Sequence, residues 1–309
     1  MKPSISPISL SSRSRLPARL LRPLLVFLFA GSLLVTAANA APLVYVITLT
    51  QQFGTIDLAT GNFTPVGSGT PDVLSDLMWS PDGSGNLLSL GTTQNPGYLV
   101  SINPSTGEEK PLRPITSNGQ PLGFNAFSLA ELHGKLYLTD FSNNLYTVNF
   151  QTGVATPVGS GGGTTGLRLD ANTPFTYNAD GTFNLCDEGL YESEGKLYAT
   201  FDAFAIATSS TPPTIAHLFL APYVWQIDPH TAAATFIANT DTQLSAIVKA
   251  DGHFYAFKGV LDSFTNGFPV AHAELVTLDI ETGKTTKIAD ISDPAIGIIF
   301  GAVPVHHQP

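Results

Sequence analysis

The chain has 309 residues, of which 43% are hydrophobic and 12% are charged, and its formal net charge is −10 at pH 7. An acidic balance of this size argues against nucleic acid or an anionic membrane as a partner, because both require a basic surface. The single cysteine, Cys186, excludes an internal disulfide bond. Stability must therefore come from strand pairing and a packed core.

The first 40 residues have the pattern of a secretory signal peptide. Five basic residues and no acidic residue lie in positions 1–23, and an apolar run covers Leu24–Ala37. Ala38-Asn39-Ala40 then supplies the small residues that a signal peptidase recognises. The apolar run is short for a membrane span, which needs roughly 20 residues. The sequence therefore predicts cleavage before Ala41 and export to the periplasm or the medium, with no membrane attachment and a formal charge of −15 after cleavage.

Beyond residue 41, one turn pattern recurs along the chain. The pattern Asx-x-x-Thr-Gly occurs at Asp57–Gly61, Asn103–Gly107, Asn149–Gly153 and Asp279–Gly283, with a variant at Asp228–Ala232. Asp or Asn caps the N–H groups that follow it, Thr bonds in a similar way, and Gly accepts a positive φ angle. Each copy therefore predicts a tight turn between two strands.

A second tight turn lies upstream of the Asx-x-x-Thr-Gly turn in every unit after the first. An apolar strand leads into this second turn. These strands are Leu74–Trp79, Phe127–Leu132, Gly189–Glu192 and Leu244–Lys249. Each unit then has four antiparallel strands, which we name A to D in chain order. Four-stranded units of about 45 residues are the blades of β-propellers.

The two ends of the repeat region complement each other. The first unit lacks an A strand, and a lone strand, Ala295–Val303, follows the last unit. Pairing of this strand with Leu43–Thr48 would complete the first blade and remove two sheet edges. The sequence thus predicts an all-β, five-bladed β-propeller of four-stranded antiparallel blades. The propeller is one domain over residues 41–303, followed by a tail at 304–309.

One aligned register of the five A strands contains mostly small residues. It holds Asp76, Ser128, Gly189, Ala246 and Gly297. Small side chains suit the narrow axis where five sheets converge. The next residue of each strand is bulky and aliphatic, and we expect it to pack between blades.

The blade endings Tyr146-Thr-Val-Asn149 and Leu275-Val-Thr-Leu-Asp279, each leading into a Thr-Gly turn, resemble those of bacterial WD40-like and YVTN-type β-propeller repeats. LYVID-x-x-TG is a common blade ending in those repeats. The resemblance covers nearly all of residues 41–303 and implies the propeller fold. It implies no single activity, because propellers host enzymes, lectins and scaffolds.

Three long connections indicate where the function lies. They are Gly159–Leu185 before blade 4, Asp202–Pro222 within blade 4 and Gly259–Ala273 within blade 5. In a propeller the B–C and D–A connections share one face, here called the loop face, and the A–B and C–D turns share the opposite turn face. Long connections often carry function. The sequence therefore favours an exported, non-catalytic monomer that binds a protein or carbohydrate on the loop face without a required cofactor.

The candidate ligand-binding residues are polar residues at the A-strand entries and aromatic or histidine residues in the long connections. They are Asp72, Asn125, Tyr177, Asp187, Phe204, His217, Asp241, Phe264 and His272. Aromatic rings could stack on a sugar or a peptide, and a ring of hard oxygen ligands at the axis could hold Ca²⁺. The open alternatives are that the acids are solvated and that the rings hold the loops against the blades.

A glycoside hydrolase is the alternative function. Such enzymes use two carboxylates that flank the scissile bond, and the candidates here are Asp76, Asp187, Glu188 and Asp293. No Gly-x-Ser-x-Gly, phosphate-loop or His-Glu-x-x-His motif indicates another chemistry. The hydrolase interpretation requires two of the four carboxylates to face each other across a pocket.

Overall fold

The computed structural model describes residues 42–123, 126–140, 144–159, 168–169, 185–206, 217–219, 223–265, 268–293 and 296–306. It describes the backbone alone at 126, 168–169, 185–188, 201–206, 217–219, 261–265 and 268–271. Residues Ala41–Pro309 form one compact unit. The predicted signal peptide lies outside the described residues. None of the described residues forms a helix with the length and apolar character that a bilayer span requires.

Twenty-four strands make up the described secondary structure. Blade 1 contains β1 (Leu43–Thr48), β2 (Phe53–Asp57) and β3 (Phe63–Pro65). Blade 2 contains β4 (Leu74–Trp79), β5 (Leu87–Gly91), β6 (Tyr98–Ile102) and β7 (Glu109–Pro114), and is followed by a small hairpin of β8 (Thr116–Ser117) and β9 (Gln120–Pro121). Blade 3 contains β10 (Ala126–Leu132), β11 (Lys135–Asp140), β12 (Leu145–Val148) and β13 (Ala155–Pro157).

The remaining strands form blades 4 and 5 and complete blade 1. Blade 4 contains β15 (Leu185–Ser193), β16 (Lys196–Ile206), β18 (Tyr223–Ile227) and β19 (Ala233–Asn239), with β14 (Arg168–Leu169) on β19 and β17 (His217–Phe219) on β16. Blade 5 contains β20 (Ala246–Ala250), β21 (His253–Thr265), β22 (Phe268–Leu278) and β23 (Thr285–Asp290). The last strand, β24 (Ile299–Pro304), joins blade 1. The fold is thus the predicted all-β, five-bladed propeller.

The C-terminal strand closes the ring as predicted. β24 pairs antiparallel with β1, with Tyr45 opposite Val303 and Val46 opposite Ala302. The strand begins at Ile299, however, and not at Ala295. Gly297 has a φ of 63°, a left-handed conformation that breaks an extended strand. The residues just before Ile299 therefore turn into the strand and do not extend it.

The repeated Asx-x-x-Thr-Gly turn folds as its residue types predict. In the first copy, Oδ1 of Asp57 accepts hydrogen bonds from the N–H groups of Ala59 at 2.9 Å and Thr60 at 3.0 Å. The Thr60 hydroxyl accepts another from the N–H of Asn62 at 3.3 Å. The same cap recurs at Asn103, Asn149, Asp228 and Asp279. Each turn is therefore stabilised by its own side chains.

In blades 1, 2, 3 and 5 the glycine of this turn also contacts the preceding blade. Gly61 and Gly107 both have a φ of 71°, and a Cβ on either would lie 2.7 Å from a carbonyl oxygen at the end of the preceding blade. A Cβ on Gly153 or Gly283 would overlap such an oxygen. Glycine is therefore required both by the positive φ angle and by the close backbone contact.

Blade 4 keeps this contact although its turn has lost the glycine. Ala232 takes the same left-handed conformation, with a φ of 58°. The residue opposite it, at the end of blade 3, is Gly159, where a Cβ would lie 2.5 Å from the carbonyl oxygen of Thr231 and 3.5 Å from the Cβ of Ala232. At this interface the glycine belongs to the end of blade 3 and not to the turn of blade 4.

The hydrophobic core is divided among the gaps between adjacent blades. Each of its five clusters of buried residues joins two neighbouring sheets. For example, Leu145 of blade 3 packs in one cluster with Trp225 of blade 4, and both are fully buried. The aliphatic residues after the small axial positions, Leu77, Leu129, Leu190 and Ile247, all lie in these clusters as predicted.

Candidate functional site

The A strands of the five blades, β4, β10, β15, β20 and β24, meet at the propeller axis, and one hydrogen-bond pattern fixes their register. Oδ2 of Asp76 in β4 accepts the N–H of Leu129 in β10 at 2.7 Å. The hydroxyl of Ser128 accepts the N–H of Leu190 in β15 at 2.6 Å in the same way. Asp76 and Ser128 therefore occupy equivalent positions in adjacent blades.

The fifth member of this register is Gly301, and the predicted Gly297 is wrong. A Cβ on Gly301 would lie 2.7 Å from the backbone nitrogen of Leu77, which is the relation that the Asp76 and Ser128 side chains have to the next blade. Gly297 precedes β24 and pairs with no strand. The axial register is thus Asp76, Ser128, Gly189, Ala246 and Gly301, with one ionisable residue.

Asp76 joins blades 2 and 3 at the axis. Its backbone has a φ of 57°, which Asp tolerates better than most residues. Besides the Leu129 N–H, Oδ2 accepts the Ser128 hydroxyl at 2.5 Å, and Oδ1 accepts the N–H of Leu77 at 2.7 Å. Burial raises the pKa of this carboxyl to about 6, and the hydrogen bonds from Ser128, Leu129 and Leu77 offset only part of that effect.

The raised pKa of Asp76 predicts a specific dependence of stability on pH. Because the folded state binds the proton more tightly than the unfolded chain, whose pKa is near 3.8, Asp76 reduces stability as the pH rises from about 4 to about 6. We expect the free energy of unfolding of the wild type, relative to Asp76→Asn, to be about 1–3 kcal/mol lower at pH 7 than at pH 4. Urea unfolding at the two pH values measures this difference.

Asp82, an exposed acid in the A–B turn of the same blade, provides the control. Hydrogen bonds from Ser84 lower the pKa of Asp82, so its contribution is present above pH 4 and is lost as the pH falls. Asp82→Asn should therefore change the pH dependence in the opposite direction. Equal wild-type and Asp76→Asn pH profiles would show that the Asp76 carboxyl titrates normally.

Below Asp76, the five A strands enclose a cavity of about 660 Å³ that reaches the turn face. We call it the axial cavity. Its wall begins at Asp76 and includes Trp79, Glu131, Glu192 and Lys249 before ending at the A–B turns. The last four of these residues were not predicted from the sequence. Each of the four lies three positions after the axial-register residue of its own strand, so the register could have been used to predict them.

Among the described residues that line the axial cavity, Lys249 is the one lysine, and it is already paired. Its Nζ lies 3.0 Å from Oε1 of Glu194 and donates a hydrogen bond to the hydroxyl of Ser193 at 2.8 Å. The ammonium also lies 5.3 Å from the centre of the Phe254 ring, a cation–π arrangement. The charge of Lys249 is thus balanced by an acid of the neighbouring blade.

Asp72, predicted to bind a ligand, holds the B–C connection of its own blade. The side chain is fully buried, and its carboxylate accepts the N–H groups of Thr93 at 2.8 Å, Gln94 at 3.0 Å and Asn95 at 3.0 Å, and also the Thr93 hydroxyl. Burial alone would raise the pKa of Asp72, but these hydrogen bonds outweigh it and lower the pKa. All of these contacts are within the protein and stabilise the connection.

Asp241 also binds within the protein. Its carboxylate accepts the hydroxyl of Thr285 at 2.6 Å and the N–H of the same residue at 3.2 Å. Thr285 begins the outermost strand of blade 5. Asp241 therefore ties the connection between blades 4 and 5 to that strand, and the carboxylates of Asp72 and Asp241 are both engaged by protein donors.

His272 lies in a surface ion network on blade 5. Its Nε2 is 3.6 Å from Oδ1 of Asp290, and it could share a metal ion with Asp290 and Glu274, whose ligand atoms lie within 4.8 Å of one another and of His272. Lys287 already places its Nζ 2.7 Å from an oxygen of both acids, and Lys258 lies 3.3 Å from Glu274. Ammonium groups therefore occupy the place that a cation would take.

The other predicted site residues are described less fully. Asn125 and Tyr177 lie outside the described residues. Asp187 and Glu188 belong to β15, Phe204 to β16, His217 to β17 and Phe264 to β21, each with its backbone alone described. Asp293 is exposed, before the turn that leads to β24. Of the four proposed catalytic carboxylates, only Asp76 lines the axial cavity with its side chain described.

Two of the predicted long loops are β-structure wherever their residues are described. Pairing of β21 with β22 continues past Gly259 and Ala273 to Thr265 opposite Phe268, so the supposed loop Gly259–Ala273 is the outer half of a long hairpin. In blade 4, β16 extends to Ile206 and pairs with β17, with Phe204 opposite Phe219. Most of Gly159–Leu185 lies outside the described residues. The B and C strands of blades 1 to 3 have no such extension within the described residues.

Comparison with other proteins gives a likeness of fold alone. No protein-family model matches the chain, and no curated protein matches it. An exo-1,5-α-L-arabinanase from a bovine ruminal metagenomic library is 12% identical, with a TM-score of 0.43 over 86% of this chain and 93% of that one. A gluconolactonase of Xanthomonas campestris is 9% identical, with a TM-score of 0.38 over 85% and 88%.

The computationally designed Ika8 protein is 12% identical, with a TM-score of 0.29 over 85% of this chain. This chain spans 63% of that protein. At these identities the similarities carry no information about activity, so the function must be argued from the residues themselves.

Proposed function

We propose that this protein is an exported, non-catalytic β-propeller that binds a protein partner or a carbohydrate on its loop face. Export would follow signal cleavage before Ala41, to the periplasm or the medium. Binding on the loop face would need no cofactor, and the protein would act as a monomer. The Ca²⁺ site suggested by the acids at the strand entries stays a prediction, because the side chain of Asp187 is not among those described.

The observation that carries the proposal is the long hairpin of β21 and β22. The two strands have 13 and 11 residues, whereas β11 and β12 of blade 3 have 6 and 4. The extra length lies beyond Gly259 and Ala273, on the B–C side of the blade. A hairpin that is longer than those of the other blades offers additional backbone and side chains at the B–C end of blade 5, and such segments commonly serve recognition.

The contacts of Asp76 also favour binding over catalysis. Its Oδ1 accepts a hydrogen bond from Leu77 of its own strand, and its Oδ2 accepts two from Ser128 and Leu129 of the adjacent strand β10. A hydrolase needs a second carboxylate opposite the first across a substrate pocket. The alternative hydrolase function therefore needs Asp187, Glu188 or Asp293 as the second carboxylate. Asp76 supports that function only through its raised pKa, which a general acid requires.

A hairpin-shortened variant tests the proposal. Replacing residues 261–271 with Asn-Gly would join Val260 to His272, which are paired in the wild type, by a two-residue hairpin turn. We expect the variant to keep the wild-type melting temperature within a few degrees but to lose binding to the host's envelope fraction at least about fivefold, as measured by co-sedimentation. The assay uses the purified full-length mature chain.

Two controls make the result specific. A Gly-Ser insertion after Gly252 changes the tight A–B turn of the same blade on the opposite face and should leave binding unchanged. Asp76→Asn should also bind like the wild type and should alter no hydrolysis of arabinan or aryl glycosides. Wild-type binding by the shortened variant, or hydrolysis that Asp76→Asn abolishes, would contradict the proposal.

A further inference from the structure

The outer half of the blade 5 hairpin has two edges that no described neighbouring strand covers. β20 pairs with β21 only as far as Phe257, and β23 pairs with β22 only as far as Glu274. The two strands of the hairpin continue from there until Thr265 lies opposite Phe268. Within the described residues, no other strand pairs with either edge. Each edge can therefore accept a further strand unless its backbone groups are already bonded or blocked.

The edge formed by β22 is closed. The carbonyl of Ala273 accepts the N–H of Ile291 at 2.9 Å, so the backbone groups of Ala273 face away from β21. Alternate residues of a strand direct their N–H and C=O groups to the same edge, and this series continues through Ala271 to Pro269. Proline has no N–H to donate. A proline at such a position protects an edge from a further strand.

The edge formed by β21 is open. The carbonyl of Phe257 accepts the N–H of Ser245 at 2.7 Å, so the backbone groups of Phe257 face β20. Those of Gly259 and then Leu261 point in the same direction. Gly259 lies opposite Ala273, whose carbonyl points away from it. Within the described residues, the N–H and C=O groups of Gly259 have no hydrogen-bond partner, and Gly259 is partly exposed.

Apolar side chains of blade 1 lie beside this open edge. A Cβ on Gly259 would lie 3.5 Å from Cγ1 of Ile298, so the Ile298 side chain packs over the strand at that point. The carbonyl of Ile298 accepts the N–H of Leu49 at 2.8 Å, and Leu49 is 45% exposed. A strand added at the edge places alternate side chains on this apolar surface.

We propose that the edge of β21 at Gly259 and Leu261 binds an extended segment of a protein partner as an added β-strand. This inference rests on the proposed loop-face function and selects a protein over a carbohydrate as the partner. Main-chain hydrogen bonds to the edge supply the affinity, and apolar side chains of the segment contact Ile298 and Leu49. A carbohydrate is disfavoured because it has no series of N–H and C=O groups at the spacing of a strand.

Two substitutions of one glycine test the edge. Gly259→Pro removes the free N–H but no hydrogen bond of the sheet. Gly259→Ala keeps the N–H and adds a Cβ at an ordinary contact distance from Ile298. The probe is an acetylated and amidated peptide of three Thr-Val pairs flanked by lysines, titrated calorimetrically into the purified mature protein. We expect Gly259→Ala to bind like the wild type and Gly259→Pro to bind at least about tenfold more weakly.

A pair of N-methylated peptides tests the same contact on the wild-type protein, so the result does not depend on the folding of a variant. Methylation of the three valine nitrogens, or of the three threonine nitrogens, removes the N–H groups from one edge of the peptide strand and leaves the other edge intact. We expect one isomer to bind like the parent peptide and the other at least about tenfold more weakly. Equal affinity of the two isomers, or no binding of the parent peptide at millimolar concentration, would overturn the proposal.

Co-sedimentation with the host's envelope fraction separates this inference from the proposed function. Gly259→Pro should weaken that binding at least about fivefold, and digestion of the envelope fraction with proteinase K should abolish binding of the wild type. Binding that survives digestion would indicate a polysaccharide, and wild-type binding by Gly259→Pro would indicate another surface of the loop face. Either result would overturn strand addition. Loss of binding by the hairpin-shortened variant would still support the proposed function, so the two proposals fail separately.

Discussion

Deletion of residues 299–309 should lower the melting temperature by more than about 10 °C or prevent accumulation of folded protein. The deletion removes β24, the A strand of blade 1. Ile299 is fully buried between blades 5 and 1, and Val303 is 8% exposed between blades 1 and 2. Each such side chain stabilises the fold by about 1.5–3 kcal/mol through burial, and the loss also leaves β1 with an unpaired edge.

A circular permutant distinguishes loss of the strand from loss of the chain end. Pro304 lies opposite Val44, and the N–H of Val305 donates to the carbonyl of Leu43 at 2.9 Å. Residue 306 can therefore be joined to residue 42 by a two-residue turn, so that β24 begins the chain. The permutant should melt within a few degrees of the wild type. A truncated chain with the wild-type melting temperature would contradict ring closure by β24.

Gly283→Ala is expected to be the most damaging single substitution in the repeated turns. Gly283 has a φ of 70°, and a Cβ there would overlap the carbonyl oxygen of Asn239 in the preceding blade. Conformational strain and a backbone clash act together, so we expect a loss of about 2–4 kcal/mol in the free energy of unfolding. Chemical unfolding of the mature domain measures the loss.

Two matched substitutions separate the strain from the clash. Gly252 has a φ of 78°, but nothing lies within 4 Å of a Cβ placed there, so Gly252→Ala should cost only about 1 kcal/mol. Ala232→Gly restores the glycine of the repeat in blade 4 and should be neutral or slightly stabilising. If Gly283→Ala cost no more than Gly252→Ala, the turn glycine would have no docking role.

The sequence predicts the fold well because its repeat is local. The Asx cap and the turn glycine act within a few residues, so each copy signals its own turn, and counting copies yields the blades. The contact between Gly159 and Ala232 could not be predicted. It joins residues of two blades, and sequence shows only that one copy of the repeat has lost its glycine.

The closing strand shows why the axial register was misplaced by four residues. The other A strands were aligned on the tight A–B turn that follows each of them. β24 has no B strand after it in the chain, because its partner, β1, lies at the other end. Without that turn as a reference, Gly297 and Gly301 are equally good matches by residue type.

The candidate site could be predicted only in part from the sequence. Acids at strand entries look alike in sequence. Their roles depend on distant threonines, Thr93 for Asp72 and Thr285 for Asp241, and the sequence alone does not show these pairs. The hairpin of blade 5, by contrast, has a sequence signal that was missed. Asn266-Gly267 stands between two apolar runs, a pattern typical of a two-residue hairpin turn.

Site-directed photo-crosslinking in the living host tests the central claim, binding through the loop face, most directly. A photoreactive amino acid replaces Phe264 in the long hairpin in one strain and His253, at the opposite end of β21, in another. We expect a discrete adduct with an envelope protein or polysaccharide from position 264 and none from position 253. Adducts from position 253 with none from position 264 would contradict that claim.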